Sequence, residues 1–204
     1  MLLKLYNENP NPRDVARVVN ILRDGGVIIY PTDTVYGLGC DITKQRAVER
    51  IARIKGLKPE KSNFSFIAYD LSHLSDYTRP LNNQIYKLMK RNLPGPFTFI
   101  LEASSVVPKL LKQKRKNVGI RIPDNNIIRT IVKELGNPIL TTSVHSEDLV
   151  LEYTTDPELI DEEMGHAVDM VIDGGYGNNI PSTIVDCTGP EIEIRRQGLG
   201  ELEW

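Results

Sequence analysis

The sequence predicts the α/β class, and two observations carry that reading. Short apolar runs rich in β-branched and aromatic residues, such as Val27-Ile28-Ile29-Tyr30 and Phe97-Thr98-Phe99-Ile100-Leu101, recur along the chain. Between them lie segments with apolar residues at helical spacing, such as Val15, Val18, Val19 and Leu22. Strand-like runs separated by helical ones are the pattern of a sheet with helices packed upon it. No internal repeat, low-complexity stretch or composition break divides the chain, so residues 1–204 read as one domain.

In order, Met1 to Tyr6 alternates weakly as a first strand, and Asn7 to Pro12 is a turn-rich link. A helix follows from about Pro12 to Asp24, stopped by Gly25-Gly26. Val27 to Tyr30 is a buried strand, and Pro31, which has no N–H to donate, weakens pairing there. Thr43 begins a second helix with Ala47, Val48, Ile51, Ala52 and Ile54 on its apolar face and Arg46, Arg50 and Arg53 on a solvated one. Phe64 to Tyr69 is a strand, Leu71 to Tyr77 a helical turn, and Asn82 to Asn92 a helix with Ile85, Leu88 and Met89 inward. His73 reads as a surface or capping residue. Pro94-Gly95-Pro96 sets the start of the strand Phe97 to Glu102. Asn117 to Pro123 is a strand, Asp124 to Leu135 a helix capped by its aspartate, and Ile139 to Ser143 a strand running out into hydroxyls. The remainder reads as an acidic helix from Asp156 to Met164 and strands at Ala167 to Asp173, Pro181 to Asp186 and Ile192 to Gly198.

Composition excludes several functions. A 40% hydrophobic, 25% charged chain with net charge −2 is ordinary for a globular protein and carries no global attraction to nucleic acid or membrane. Cys40 and Cys187 lie outside any metal-ligand spacing and predict buried thiols, with no disulfide framework or zinc site. The N-terminal run reads as too short for a signal peptide and no apolar stretch is long enough to span a bilayer, so a cytoplasmic location is expected, with no membrane partner. There is also no Walker loop, no His-Glu-x-x-His and no Ser-His-Asp pattern.

The informative stretch is Pro31-Thr32-Asp33-Thr34-Val35-Tyr36-Gly37-Leu38-Gly39-Cys40-Asp41. Two hydroxyls flank a carboxylate at the end of a buried strand, followed by glycines that permit close approaches or unusual angles. By residue type this is either a ligand-bearing strand end or a Thr- and Gly-rich turn whose aspartate caps a helix. The stretch resembles Pro-Thr-Glu-Thr-Val-Tyr-Gly-Leu-Gly, the signature of the threonylcarbamoyl-AMP synthase family with its YrdC-like domain. Leu93-Pro-Gly-Pro-Phe-Thr-Phe-Ile-Leu101, Val118-Gly-Ile-Arg-Ile-Pro123 and Ser182-Thr-Ile-Val-Asp186 resemble further family segments, and the likeness runs from about residue 25 to 198. Within the family it is most similar to the YciO-like branch.

The resemblance implies a YrdC-like single domain, with a twisted mixed β-sheet, flanking helices and a concave, locally basic ligand cleft. The extra C-terminal domain of longer members is not expected. It implies a nucleotidyltransferase that condenses L-threonine, bicarbonate and ATP, with Mg2+ on the phosphates, into threonylcarbamoyl-AMP and diphosphate for tRNA modification. Thr34, Arg121, Thr141 and Ser182 are then the substrate contacts, and Lys55, Lys58, Asn63, Asn117, Ser143, His145 and Arg196 the nucleotide contacts. No protein nucleophile and no protein-held metal is expected; positioning and charge do the chemistry.

Each cation has a second reading. The Lys55 to Lys61 loop is otherwise solvated, and Arg121, an arginine between apolar residues, is otherwise one half of an internal salt bridge. The chain departs from the family at Leu57-Lys58, where the family has an arginine, and at His145, where it has asparagine; the histidine after Asn63 is absent. A Ser-Gly-rich loop gives way to Ser146-Glu147-Asp148. These departures leave a second class open: a YrdC-like protein binding tRNA or double-stranded RNA through Lys109, Lys112, Lys114, Arg115 and Lys116. A third is carbamoyl or nucleotidyl transfer to a different amine.

Overall fold

The structure is a computed structural model that describes residues 1–57, 64–72, 74–107, 116–144 and 155–204. Ten strands in these residues form one sheet in the order β1-β8-β2-β3-β7-β4-β6-β5-β9-β10. They are β1 (Leu2–Lys4), β2 (Val27–Tyr30), β3 (Gly37–Asp41), β4 (Ser65–Ile67), β5 (Phe97–Glu102), β6 (Asn117–Arg121), β7 (Ile139–Ser143), β8 (Met170–Asp173), β9 (Thr183–Asp186) and β10 (Glu193–Arg196). Pairing is mixed. β2 runs parallel to β8 but antiparallel to β3, and β6 runs parallel to β4 but antiparallel to β5.

The helices are α1 (Pro12–Arg23), α2 (Gln45–Ile54), the single turn α3 (Leu74–Tyr77), α4 (Asn83–Asn92), α5 (Asn126–Leu135) and α6 (Pro157–Met164). Because strand side chains alternate between faces, the register assigns each apolar residue to a side. One face carries Val27, Ile29, Leu38, Cys40, Phe66, Phe99, Ile120 and Leu140, packed against α2 and α4 through Val48, Ile51, Leu88 and Met89. The other carries Ile28, Tyr30, Ile67, Ile139, Met170 and Ile172, packed against α1 and α5. On this second face α1 and α5 cover only part of the sheet. Beyond their reach Ser65, Ile100, Ser143 and Ile184 are half-buried beside the buried polar side chains Thr98, Arg121 and Thr141, which leaves a partly open face over β7, β4, β6, β5 and β9.

The helix ends follow the sequence closely, with two corrections. Asn125, not Asp124, caps α5: its side chain accepts the Ile128 N–H, while the Asp124 N–H is turned toward Asp33. Asn is as good a cap as Asp, so composition alone could not choose between neighbours. The second helix begins at Gln45 with Lys44 in the cap position and no side-chain cap, because the Thr43 hydroxyl is taken by Asp41. Arg50 is not simply solvated. Its guanidinium bonds the Asp169 carboxylate and the Ala167 carbonyl, each at 2.6 Å, tying α2 to the turn before β8.

The glycine-rich stretch after Pro31 is a loop followed by a strand that neither reading expected. Residues 32–36 form a loop, and Gly37–Asp41 then returns as β3, a fully buried strand that pairs with β2 and β7. Neither Gly37 nor Gly39 has positive φ. A Cβ on Gly37 would meet the Tyr30 ring at 2.7 Å, and one on Gly39 would meet the Leu140 carbonyl oxygen at 2.6 Å. Close approach is what these two glycines provide.

Candidate functional site

The loop 32–36 is braced from several sides. Thr32 Oγ1 donates to the Val35 carbonyl (2.8 Å) and accepts from the Thr34 N–H (3.0 Å). Its own proton is thus committed, so in the 3.2 Å contact with Thr34 Oγ1 it is Thr34 that donates. Tyr36 clamps the next segment: its hydroxyl donates to the Gly175 carbonyl (2.6 Å) and accepts from the Gly174 N–H (3.2 Å). Burial pushes the Tyr36 phenol up to about 12, so it stays a donor at any physiological pH.

Arg121 ends β6 and is 8% exposed. By register it lies beside Ile67 of β4 and on the same face as Thr98 of β5. Its Nη2 donates to Thr34 Oγ1 (2.9 Å) and to Asp33 Oδ1 (3.3 Å). The other Asp33 oxygen accepts the Asp124 N–H at 2.9 Å. The salt-bridge reading of Arg121 is therefore correct as far as it goes. It is not complete, because the buried Nε has no hydrogen-bond partner among the described residues. A guanidinium forms two-pronged contacts with a carboxylate, and an unpaired buried N–H is costly. Here one prong is spent on Asp33 and a second donor is left for an acceptor from outside.

Asp33 itself sits in the same dry surroundings, and burial pushes its carboxyl above the usual range against the pull of Arg121. Its place as the Arg121 partner was not evident from the sequence. The signal present was a carboxylate between two hydroxyls at a strand end.

The other expected contacts fall into groups. Thr141, in β7, accepts a 2.5 Å hydrogen bond from the Tyr30 hydroxyl. Ser182 shares a 2.8 Å bond with Thr98, so the hydroxyl before β9 meets the face of β5 that also bears Arg121. Thr98 was missed because it sits between two phenylalanines, where only the strand period reveals an outward hydroxyl. Lys55 Nζ donates to the Ser143 carbonyl (3.0 Å) and the Val144 carbonyl (3.4 Å), bringing the end of α2 to the end of β7. Arg196, on the edge strand β10, bonds the Ser182 carbonyl through Nη2 (2.8 Å) and Nε (3.2 Å). Asn117 is set apart from these. It begins β6, four residues from Arg121, or about 13 Å along the strand. It lines a different cavity of about 840 Å3 with Thr78, Arg79, Glu102, Lys116 and Thr188. Lys58, Asn63 and His145, and with them His73 and the basic run Lys109 to Arg115, lie outside the described residues.

Both cysteines are buried free thiols, and burial raises Cys187 to about 11 and Cys40 further still, so neither acts as a nucleophile near neutrality. Among the described residues there is no grouping of three or more His, Cys, Asp or Glu able to hold a metal, and no helix is long and apolar enough to cross a membrane.

A buried arginine at a strand end, under a Thr-Asp-Thr loop, thus stands on a mixed α/β sheet flanked by helices. Comparison gives the family. The chain belongs to the Sua5/YciO/YrdC family, described under telomere recombination, whose pattern matches residues 20–198. It is 41% identical to YciO of Escherichia coli over 98% of this chain and 96% of that one. The E. coli YciO crystal structure superposes with a TM-score of 0.90, at 39% identity, covering 98% and 97% of the two chains. The threonylcarbamoyl-AMP synthase of Nitrosococcus oceani is 33% identical over 87% of this chain and 94% of its own. The fold is shared with P. abyssi Sua5 complexed with L-threonine (TM-score 0.87, 24% identity), of which this chain spans 57% and which covers 97% of this chain.

Proposed function

We propose that the protein is a threonylcarbamoyl-AMP synthase-type nucleotidyltransferase, joining L-threonine, bicarbonate and ATP with release of diphosphate. The observation that carries this reading is the Arg121 Nε, a buried donor with no partner among the described residues, on the partly open face of the sheet. A substrate carboxylate is the natural acceptor. With the carboxylate held there, the substrate amine attacks the bicarbonate carbon and water leaves, forming the carbamate on the face that bears the Thr98, Thr141 and Ser182 hydroxyls. The carbamate oxygen then attacks the α-phosphorus of ATP, and diphosphate leaves. Lys55 and Ser143, joined at the end of β7, and Arg196, bonded to the Ser182 carbonyl, are the nucleotide contacts of this reading, together with Lys58, Asn63 and His145, which the family resemblance alone implies. Asn117, at the far end of β6, is left out of it. Magnesium enters as MgATP, on phosphate oxygens rather than a protein cage. Family membership supports this class of chemistry, and a protein of the same fold, P. abyssi Sua5, is known with L-threonine bound.

The test is diphosphate release from MgATP and bicarbonate, with and without L-threonine, beside Arg121→Ala. Release that depends on threonine and falls at least about a hundredfold in the variant is the expected result, since losing the partner of a buried charge costs about 3–5 kcal/mol. Folded protein that releases no diphosphate, or releases it independently of threonine, sinks the assignment.

A further inference from the structure

The glycines of the Gly37-x-Gly39 strand clear a path for Tyr30. The Tyr30 ring crosses β3 from β2, where a Cβ on Gly37 would strike its ring and one on Gly39 would lie 2.9 Å from its hydroxyl. Beyond that slot the hydroxyl donates to Thr141 Oγ1 on β7. Tyr30 is fully buried in a dry core, and burial pushes its phenol far above its ordinary value, so this donor is permanently protonated. Thr141 is the useful end of the pair. Its oxygen is occupied as an acceptor, and its own proton has no acceptor among the described residues. Thr34, the other buried threonine of the group, has spent its proton on Thr32. Thr141 lies at the border between the helix-covered and open parts of its face, level with Ser65 of β4, and Tyr30 is close enough to Arg121 to feel its charge.

We propose that Tyr30 is a positioning residue for ligand binding: its hydroxyl fixes the Thr141 rotor so that the Thr141 proton points at an anion held by Arg121. This rests on the carboxylate-binding reading above and adds a residue that never touches the ligand. A hydroxyl free to rotate loses entropy on binding and has other acceptors to visit; one that already accepts from a buried phenol has fewer orientations left.

The experiment is isothermal titration of L-threonine, and of acetate as a bare carboxylate, into wild type, Tyr30→Phe, Thr141→Val, Thr141→Ser and the Tyr30→Phe/Thr141→Val double variant. Thermal melting confirms that each is folded. Tyr30→Phe and Thr141→Val should each weaken L-threonine binding about fivefold. The double variant should be no weaker than Thr141→Val alone, and Thr141→Ser should bind like wild type. A purely structural Tyr30 would lower the melting temperature and leave the affinity of the folded protein unchanged. That outcome, or losses that multiply in the double variant, overturns the positioning role while the carboxylate reading stands. Wild type that binds neither probe overturns both.

Discussion

At the scale of single residues, the site turns on how one guanidinium is shared. Asp33 and Thr34 both draw on Arg121 Nη2, so the arginine is oriented by protein contacts before any ligand arrives. Lysine cannot reproduce this. Its point charge could serve Asp33 or a ligand, but not both along fixed directions. Arg121→Lys is expected to keep the fold and lose L-threonine binding by at least about tenfold, read by the same titration. Asp33 gives a prediction with a definite sign. Its folded pKa is raised, mainly by burial, so the protonated form is the one folding favours. That contribution is complete below the ordinary carboxylate pKa of about 4 and is lost as pH rises through the higher folded value. Asp33→Asn removes the titration. The melting temperature of the variant relative to wild type should therefore be more favourable at pH 7 than at pH 4. A difference that is flat, or that runs the other way, would show that Arg121 outweighs desolvation.

At the scale of elements, short-range chemistry explains most boundaries, and the exceptions are instructive. The strands Phe97–Glu102 and Ile139–Ser143 stand where β-branched and aromatic runs placed them, and α1 stops before Gly25 (φ 86°) as its glycine pair indicates. β3 was illegible, because Gly-Leu-Gly-Cys-Asp has the composition of a turn and becomes a strand only through pairing on both sides. The two kinds of glycine should separate experimentally. Gly39→Ala forces a Cβ against the Leu140 carbonyl and should cost about 2–3 kcal/mol by urea unfolding. Gly136→Ala at the end of α5 meets nothing within 4 Å and suffers only its φ of 86°, a cost of about 1 kcal/mol. The α5 cap can be checked in the same way. Asn125→Ala should lose about 1 kcal/mol and Asp124→Ala much less, because only the backbone of Asp124 is engaged.

At the scale of the whole molecule, the fold assembles the site from distant pieces, and here the sequence alone runs out. Arg121 meets Asp33 across 88 residues and Ser182 meets Thr98 across 84. Both meetings follow from the strand order, which no local pattern encodes. The residue types were legible, as was the class of fold. Legible too was an arginine between apolar neighbours that needs an anionic partner. What stayed hidden was that the arginine has an internal partner and a spare donor together, since that depends on which loop crosses the open face.

The central claim is that the spare Arg121 donor receives a substrate carboxylate, and the 15Nε–1Hε NMR resonance of Arg121 reports it most directly. Its assignment comes from the peak missing in Arg121→Lys. Addition of L-threonine should move that resonance in a saturable way, while L-threoninol, which has no carboxylate, should leave it in place. If L-threonine binds, by shifts elsewhere in the spectrum, and the Arg121 Nε peak does not move, the carboxylate lies somewhere else and the account is wrong at its centre.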